Sequence, residues 1–296
     1  MQQNSRARLA LVMGAIAALV VASSAIAGAA GTSIKGTYNA AAAKLVPAAL
    51  KGKTLQVASD ATYAPDESMS GSTMVGFDVD LMNAVGTTLG LKVSETNVTF
   101  DAIIPGLLSS HYSVGNSSFT DNKKRELQLN FVDYFQAGEG VYAKASSKVT
   151  FTGFKSFCGL KVAVETGTVE QTDATTAKKA CPAGKKLTIL TFPTQTSANL
   201  AVSSGQADVG FVDSQIAGYI ASVSHGVFKV VGSAVNVAPY GVATQKNATG
   251  LALAKAIAAA FKVLIANGTY HAILGKWGVT GGGFTAGQIK LNGAIS

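Results

Sequence analysis

The sequence has few of the residues that build metal sites and catalytic centres. It contains three histidines and two cysteines in 296 residues. None of the histidines has the spacing to another histidine or to a cysteine that a zinc site requires. No nucleophile–base pair is evident either. We therefore expect a protein without a metal ion or cofactor.

Charge is also sparse, and it is spread out. Charged residues make up 14% of the chain, and the formal net charge is +8. Lysine and arginine occur singly or in pairs, and only Lys123 to Arg125 places three together. A nucleic-acid surface would need a stripe of basic residues with aromatic residues between them. We expect no nucleic-acid partner, and we attribute the basic pI to solubility or to the charge of a cell envelope.

One uninterrupted apolar run, Leu9 to Val21, stands at the N-terminus. Arg6 and Arg8 precede it, and the small residues Ala25-Ile26-Ala27 follow it, which is the pattern of a cleaved signal peptide over residues 1–27. A retained membrane anchor is the alternative. Cleavage would lower the net charge from +8 to +6. No cysteine follows the run to accept a lipid, so a periplasmic or secreted protein is expected.

The two cysteines, Cys158 and Cys181, lie 23 positions apart. An even pair in an oxidising compartment predicts a disulfide. Closing a loop of this length is worth about 3 kcal/mol by chain entropy. Two free buried cysteines are the alternative.

Strand and helix patterns alternate along the chain, which predicts an α/β fold. The helix from Gly76 to Gly90, the strand over residues 92–100 and the helix over residues 101–109 illustrate the alternation. Extended segments near 136–144 and 237–244 suggest two crossings between two lobes, with a ligand cleft between the lobes. The predicted division is a linker (28–53), lobe one (54–138 and 238–278), lobe two (139–237) and a loose tail (279–296).

The stretch from Ser117 to Phe135 is the strongest candidate for a binding segment. It offers hydroxyl groups at Ser117, Ser118 and Thr120 ahead of Arg125. An arginine fork can hold a small carboxylate through two charge-assisted hydrogen bonds. A solvated helix start with a basic run is the alternative.

Other polar residues follow predicted strands, where open α/β sheets bind ligands. Asp60 and Tyr63 follow the strand over residues 54–59, and the turn over residues 166–168 follows the strand over residues 160–165. This turn would present backbone N–H groups at a helix N-terminus. Asp213 follows another strand and could pair with an ammonium group; capping the next helix is the alternative.

The order of these segments resembles the extracellular solute-binding proteins of the polar amino-acid family, which serve ABC importers. Eight segments between Leu55 and Trp277 carry the resemblance: VASDATYAP, MVGFDVDL, TFDAIIPGL, the block from Thr120 to Tyr134, VAVETGT, GQADVGFVDS, PYGVA and LIANGTYHAILGKWG. The resemblance implies a periplasmic-binding-protein fold that closes two lobes over a free amino acid.

The resemblance also implies roles for individual residues. Arg125 would bind the α-carboxylate with Thr120 and the backbone near Ser118, and Asp213 would bind the α-ammonium. The remaining implied site residues are the lobe-two turn of Gly167, Thr168 and Val169, the aromatic walls Tyr63 and Phe100, and Asp60 at the polar end of the side chain.

Some positions depart from the usual family pattern. Asp66-Glu67-Ser68 stands where members usually carry an aromatic–acid–aromatic run, and Glu165 lies at a position that differs with the ligand. Asp60, Asp66 and Glu165 together favour a cationic side chain, although any of them could face solvent.

Binding followed by delivery to a membrane permease is the leading hypothesis, with the protein acting as a monomer. A ligand sensor without transport and a dehydratase-like periplasmic enzyme on the same scaffold are the alternatives. The resemblance favours a protein that is not an enzyme.

Overall fold

The structure is a computed structural model that describes residues 34–295. The predicted signal peptide, residues 1–27, lies outside the described residues, as do residues 28–33 and Ser296.

The described chain alternates strands and helices, as the sequence patterns predicted. The strands are β1 Thr54–Ser59, β2 Thr62–Tyr63, β3 Glu67–Ser70, β4 Thr73–Val75, β5 Lys92–Asn97, β6 Val114–Gly115, β7 Leu129–Lys144, β8 Lys161–Glu165, β9 Thr188–Phe192, β10 Val209–Asp213, β11 Phe228–Val230 and β12 Val235–Gln245. The α-helices are α1 Ala40–Ala43, α2 Phe77–Leu89, α3 Phe100–Leu108, α4 Lys123–Glu126, α5 Val169–Lys179, α6 Gln195–Ser204, α7 Ser214–Val223, α8 Ala248–Ala266 and α9 Thr269–Trp277. Short 3-10 helices cover Ala48–Leu50, Phe154–Phe157, Thr280–Gly282 and Ala286–Gln288.

The large sheet consists of two parallel parts that are joined by two long antiparallel strands. Its order is β5-β1-β6-β12-β7-β10-β8-β9, with β11 paired to β7. On one side β1 runs parallel to β5 and β6, and on the other β8 runs parallel to β9 and β10. The parts on either side of the β12–β7 pair are lobe one and lobe two, so the predicted two-lobed α/β fold is confirmed.

The two lobes are joined through β7 and β12. The first half of β7 pairs with β12, from Leu129 opposite Gln245 to Phe135 opposite Tyr240. Its second half pairs with β10, so that Glu139 lies opposite Asp213. These strands contain the extended segments that the sequence predicted as crossings.

Each lobe has its own apolar core. In lobe one, α2 and α8 pack on the sheet and bury Phe77, Leu81 and Phe261, and the ring of Tyr134 stacks on Phe261 with centroids 5.5 Å apart. Helix α8 is long and apolar enough to cross a membrane by composition alone. Its apolar side chains lie in this core, which is the ordinary situation for a core helix.

Lobe two has a second core, beside which the predicted disulfide lies. Aromatic side chains fill this core, and the ring of Phe157 contacts those of Phe151 and Phe211. Cys158 and Cys181 are joined, with an S–S distance of 2.01 Å. The bond ties the end of a 3-10 helix to the residues just after α5, so it closes the far end of this lobe.

The described parts of the predicted linker and of the predicted loose tail both pack on lobe one. In the predicted linker, the Asn39 side chain accepts a hydrogen bond from Ala42 N at 2.9 Å and caps α1, and both Ala42 and Val46 are buried. The apolar core of lobe one therefore includes residues that precede β1.

The C-terminal segment was predicted to be loose, and its described part is packed instead. Asn292 Oδ1 accepts from Phe131 N at 2.8 Å, and Asn292 N donates to Phe131 O at 2.9 Å. Ala294 N donates to Glu126 Oε1 at 3.0 Å. This glycine-rich segment has too weak a periodicity to predict packing, and the contacts that hold it on lobe one are with residues distant in sequence.

A smaller correction concerns Phe100. The sequence predicted that it ends a strand, but β5 ends at Asn97 and Phe100 is the first residue of α3. Thr99 has extended backbone at the helix N-cap. The apolar character of Phe100 fits a strand end and a helix start equally well, so only the tertiary structure distinguishes them.

Candidate functional site

A small cavity lies between the lobes, at the carboxyl ends of the parallel strands. It is lined by Asp60, Tyr63, Phe100, Ser117, Ser118, Thr120, Arg125, Glu165, Thr168, Glu170 and Asp213. Parallel strands place the residues that follow them at one edge of the sheet, and two such edges face each other here.

Arg125 is held from both lobes. The Asn122 side chain caps α4 by accepting from Arg125 N at 2.9 Å, and this places the side chain. Nη1 donates to Thr120 O at 2.8 Å in lobe one, and Nη2 donates to Gly167 O at 3.2 Å in lobe two. The guanidinium is therefore fixed in orientation across the cleft.

Aromatic rings enclose the same guanidinium. Its carbon lies 5.5 Å from the ring centroid of Phe100 and 5.2 Å from that of Phe119. Arg125 is only 8% exposed, unlike the solvated helix start that the sequence left open. Burial lowers the pKa of Arg125 to about 10, so the group remains cationic at neutral pH.

No carboxylate pairs with Arg125 in the part of the chain that the structure describes. The two ion pairs found between residues 34 and 295 join Lys123 to Glu126 and Lys276 to Asp80. A buried cation without an anionic partner is costly in a folded protein. The guanidinium is therefore oriented and poorly solvated, which suits it to bind an anionic group in the cavity.

Asp213 is the matching buried anion in lobe two. It ends β10, and its Oδ2 accepts from the Tyr63 hydroxyl at 2.7 Å. Asp213 occupies the N-cap position of α7, but its side chain makes no capping hydrogen bond. Burial raises the pKa of Asp213 to about 6, so the carboxyl is mostly ionised at neutral pH.

Tyr63 belongs to lobe one by sequence and packs into lobe two. Its ring lies in the apolar cluster that contains Ala198 and Ile216, and its hydroxyl reaches Asp213. Nearby, Gln195 N donates to Thr62 Oγ1 at 3.1 Å. The hairpin after β1 therefore connects the lobes beside the cavity.

A second pair of carboxyl groups, Asp60 and Glu165, lies in the cavity wall. The carboxylate of Asp60 accepts from Thr62 N at 2.9 Å and from Phe100 N at 3.0 Å, so backbone amides hold it in place. Glu165 ends β8 and has one carboxyl oxygen without a hydrogen-bond partner. Burial, together with the charge of Asp60, raises the pKa of Glu165 to about 10.

The loop that carries Ser117 and Ser118 rests on buried acids. Ser118 has a left-handed backbone conformation with φ of 49°, which is strained for a non-glycine residue. Its N–H donates to Asp78 Oδ2 at 3.0 Å, and its hydroxyl donates to Asp66 Oδ2 at 2.7 Å. The Ser117 hydroxyl accepts from Asp60 N at 2.9 Å. These bonds hold the loop in a conformation it would otherwise disfavour.

The lobe-two turn begins helix α5. Gly167 has φ of 87°, and a Cβ there would lie 3.1 Å from the Cβ of Asp101 across the cleft, so glycine suits this position on both counts. Thr168 caps the helix by accepting from Gln171 N at 3.2 Å. Val169 is the first helical residue, and its side chain is not among the cavity-lining groups.

Most of the residues predicted for the site come together in this cavity. Arg125, Asp213, Thr120, Ser118, Asp60, Tyr63, Phe100, Glu165 and Thr168 all line it, and Val169 adjoins it. Asp66 does not line the cavity; it is fully buried behind the Ser118 loop.

Glu170 is a cavity residue for which sequence reasoning proposed no role. It lies in the first turn of α5, only 2% exposed, with one carboxyl oxygen unpartnered. Burial raises the pKa of Glu170 well above its ordinary value, and the charge of Asp213 adds to the effect. Its position two residues after Thr168, in the turn already suspected of binding an anion, was the signal that could have found it.

Known proteins are similar to this chain in sequence and in architecture. The arginine-binding protein ArgT of Corynebacterium glutamicum is 34% identical over 243 residues, which is 80% of this chain and 79% of that protein. The ABC transporter glutamine-binding protein GlnH of Bacillus subtilis is 27% identical over 212 residues, covering 70% and 74%.

Among solved structures, an ancestral arginine-binding protein bound to arginine has a TM-score of 0.69 and 29% identity, covering 76% of this chain and 97% of that one. Holo ArgBP from T. maritima has a TM-score of 0.65 and 25% identity, covering 76% and 95%. These relatives are binding proteins, as expected for a chain that is not an enzyme. Residues 55–280 match the family described as bacterial extracellular solute-binding proteins, family 3, and the chain belongs to that family.

Proposed function

We propose that this protein binds free arginine, or a close cationic analogue, between its lobes and delivers it to the permease of an ABC importer. In this proposal the protein acts as a monomer in the periplasm or outside the cell after cleavage of residues 1–27. The observation that carries the proposal is the buried Arg125, unpaired within the described chain, with the carboxyl groups of Asp213, Asp60 and Glu165 in the same cavity.

The α-carboxylate of the ligand would bind Arg125. The guanidinium is already oriented by Thr120 O and Gly167 O, so little side-chain entropy is lost when a carboxylate binds. The hydroxyl of Thr120 and the N–H groups at the start of α5 supply further donors nearby. A zwitterion also needs a fixed anion, and Asp213 provides one on the lobe-two side.

The ligand side chain would extend toward Asp60 and Glu165. The two carboxyl groups interact closely enough for the charge of Asp60 to raise the pKa of Glu165. With a pKa of about 10, Glu165 is protonated at neutral pH in the empty cavity. A guanidinium between the two carboxyl groups would favour the ionised form of Glu165 and donate to its free oxygen. A neutral side chain such as that of glutamine would leave Glu165 protonated.

Binding would stabilise the closed arrangement because the ligand touches both lobes. Arg125 and Asp60 belong to lobe one, whereas Asp213 and Glu165 belong to lobe two. A ligand held by both sets binds the closed state more tightly than an open one and shifts the population toward it. The permease would then recognise the closed protein.

Calorimetric titration with arginine, lysine, ornithine, histidine, glutamine and citrulline tests the proposal. Citrulline has nearly the shape of arginine and lacks its side-chain charge, so it isolates the contribution of Asp60 and Glu165. A charged hydrogen bond contributes about 1.5–3 kcal/mol, so arginine should bind about 10- to 150-fold more tightly than citrulline.

The Glu165→Gln variant should lower the ratio of the affinity for arginine to the affinity for citrulline. Asp101→Asn serves as the control. Asp101 is exposed at the start of α3 and does not line the cavity. Equal binding of arginine and citrulline by the unmodified protein would refute the cationic ligand and keep an amino-acid site. Absence of binding by every amino acid would refute the site itself. Uptake of labelled arginine by cells with and without this chain then tests delivery to a permease.

A further inference from the structure

We propose that lobe two carries a cationic face, remote from the cavity, that binds the anionic headgroups of a phospholipid surface. The face consists of Lys155, Lys161, Lys178, Lys179, Lys185 and Lys186, all of them exposed. We call these six residues the lysine face.

The disulfide gathers the lysine face from four separate segments. Lys155 and Lys161 lie on either side of Cys158, whereas the two lysine pairs, 178–179 and 185–186, lie on either side of Cys181. Further contacts tie the segments together. A Cβ at Gly159 would lie 3.9 Å from the Cβ of Lys185, and Lys161 lies opposite Thr188 in the β8–β9 register. The lysines therefore share one end of the lobe.

Little negative charge opposes this face. Of the six acidic residues in lobe two, Glu139, Glu165, Glu170 and Asp213 are buried away from it. Asp173 is half-buried on α5 and accepts from Asn236 Nδ2 at 2.7 Å. Asp208 is exposed nearby, and its Oδ2 accepts from the backbone N of Lys161 at 2.7 Å. Among the described residues, none of the six lysines forms an ion pair. Their charges are available to an external anion.

The lysine face lies at the opposite end of lobe two from the cavity. Strand β8 begins at Lys161 and ends at Glu165 in the cavity wall, and α5 begins beside Thr168 in the cavity and ends at Lys179. A surface bound at the lysine face would therefore leave the ligand groups uncovered.

The chemistry of the face favours headgroups over other anions. Lysine ammonium groups act as point charges, and they lack the planar fork by which arginine recognises a single phosphate bidentately. No large apolar or aromatic side chain is exposed between residues 145 and 192, so neither base stacking nor insertion into hydrocarbon is available. A cluster of four to eight lysines is the pattern for electrostatic attraction to anionic lipid. The family is extracellular, so a membrane surface lies beside it.

The test is flotation with vesicles of phosphatidylcholine alone and of phosphatidylcholine with about one-fifth phosphatidylglycerol, at low and at physiological salt. The full chain is exported by a bacterial host, and its N-terminus is read by mass spectrometry. We compare a quadruple variant in which Lys178, Lys179, Lys185 and Lys186 are replaced by glutamine. The matched control replaces four other exposed lysines by glutamine, so that both variants lose the same net charge. These are Lys44, Lys51 and Lys53 ahead of β1, and Lys92 at the start of β5.

The unmodified protein should bind the anionic vesicles, should not bind the neutral ones, and should be released by salt. The lysine-face variant should bind at least about tenfold more weakly, whereas the lobe-one control should change less than about threefold. Arginine affinity, measured on both variants, should match that of the unmodified protein and so reports that the fold is intact. Absence of binding to anionic vesicles, or equal losses in the two variants, would overturn the proposal. Binding to soluble polyglutamate as tight as binding to vesicles would also overturn it, in favour of an acidic polymer as partner.

Discussion

The replacement of Glu67 by glutamine should reduce the dependence of stability on pH by the contribution of one retained proton. Glu67 begins β3 and is fully buried, and neither of its carboxyl oxygens accepts a hydrogen bond from a donor group. Its neighbours are the buried carboxyls of Asp66 and Asp78, and no cation is paired with any of the three in the described chain. Burial and the charge of Asp78 raise the pKa of Glu67 well above its ordinary value of 4.5.

The protonated Glu67 carboxyl has one suitable acceptor. The Tyr134 hydroxyl lies 2.6 and 2.7 Å from the two oxygens of Asp78, and Ser118 N donates to Oδ2 at 3.0 Å. Burial raises the pKa of Asp78 to about 6 and these donors oppose the rise, so Asp78 is mostly ionised at neutral pH. A proton on Glu67 can then be donated to Asp78, and this hydrogen bond contributes to the raised pKa of Glu67. Glutamine has the same shape and offers an N–H donor to Asp78 without a titrating proton.

The sign of the effect follows from proton counting. Because the folded state retains a proton that the unfolded state loses above pH 4.5, the free energy of unfolding falls as pH rises through this window. Each pH unit costs about 1.4 kcal/mol for one retained proton. Over the two pH units from 5.5 to 7.5 the loss of stability due to the Glu67 proton therefore does not exceed about 3 kcal/mol, and Glu67→Gln should remove it.

Urea unfolding at pH 5.5, 6.5 and 7.5 measures the difference. The unmodified protein should be less stable at pH 7.5 than at pH 5.5, and the decrease should be smaller in Glu67→Gln, by at most about 3 kcal/mol. Asp208→Asn, at an exposed carboxyl on lobe two, should reproduce the unmodified slope. Equal slopes for Glu67→Gln and the unmodified protein would refute the argument that this carboxyl is protonated in the folded state.

Three further changes test other parts of the structure. Arg125→Ala should weaken amino-acid binding by about 2–5 kcal/mol, or about 30- to several-thousand-fold by calorimetry, and unchanged affinity would contradict its role. Cys158→Ser removes a disulfide that closes a loop of 23 positions. The melting temperature should therefore fall in line with a loss of about 3 kcal/mol, without a change in ligand preference. An unaltered melting temperature of the unmodified protein in the presence of a reductant would contradict this. Asn292→Ala leaves Phe131 N without its acceptor and should cost about 1–3 kcal/mol in urea unfolding, whereas an unchanged midpoint would indicate that the C-terminal segment is loose after all.

The local sequence pattern was sufficient to predict several helices and strands, among them α2 and β1. The apolar residues of α2 recur at helical spacing and stop at Gly90, whose φ of 70° suits a glycine C-cap, and the observed helix ends at Leu89. Strand β1 coincides with the predicted strand over residues 54–59. These features depend on residues a few positions apart, so the sequence alone contains the information.

The candidate site was predictable to the extent that its residues follow strands. Asp60, Glu165 and Asp213 end or follow β1, β8 and β10, and parallel strands bring such residues to one edge. The distance of 2.7 Å between the Tyr63 hydroxyl and Asp213 was not predictable, because it joins residues 150 positions apart on different lobes. Glu170 was missed because its burial in the cavity wall is a feature of the tertiary structure.

The sequence by itself determined the order of strands and helices, the two crossings, the disulfide pair and the kinds of residue available to a ligand, because periodicity and turn chemistry act locally. Only the tertiary structure decided which polar groups are buried and which are solvated. Asp66 and Glu67 look like surface residues in the sequence, yet both are fully buried, and the tail predicted to be loose packs on β7. Burial depends on contacts between distant segments. It makes Arg125 a poorly solvated cation. It also removes most of the acidic side chains of lobe two from the surface, so that the exposed lysines remain with few acids beside them.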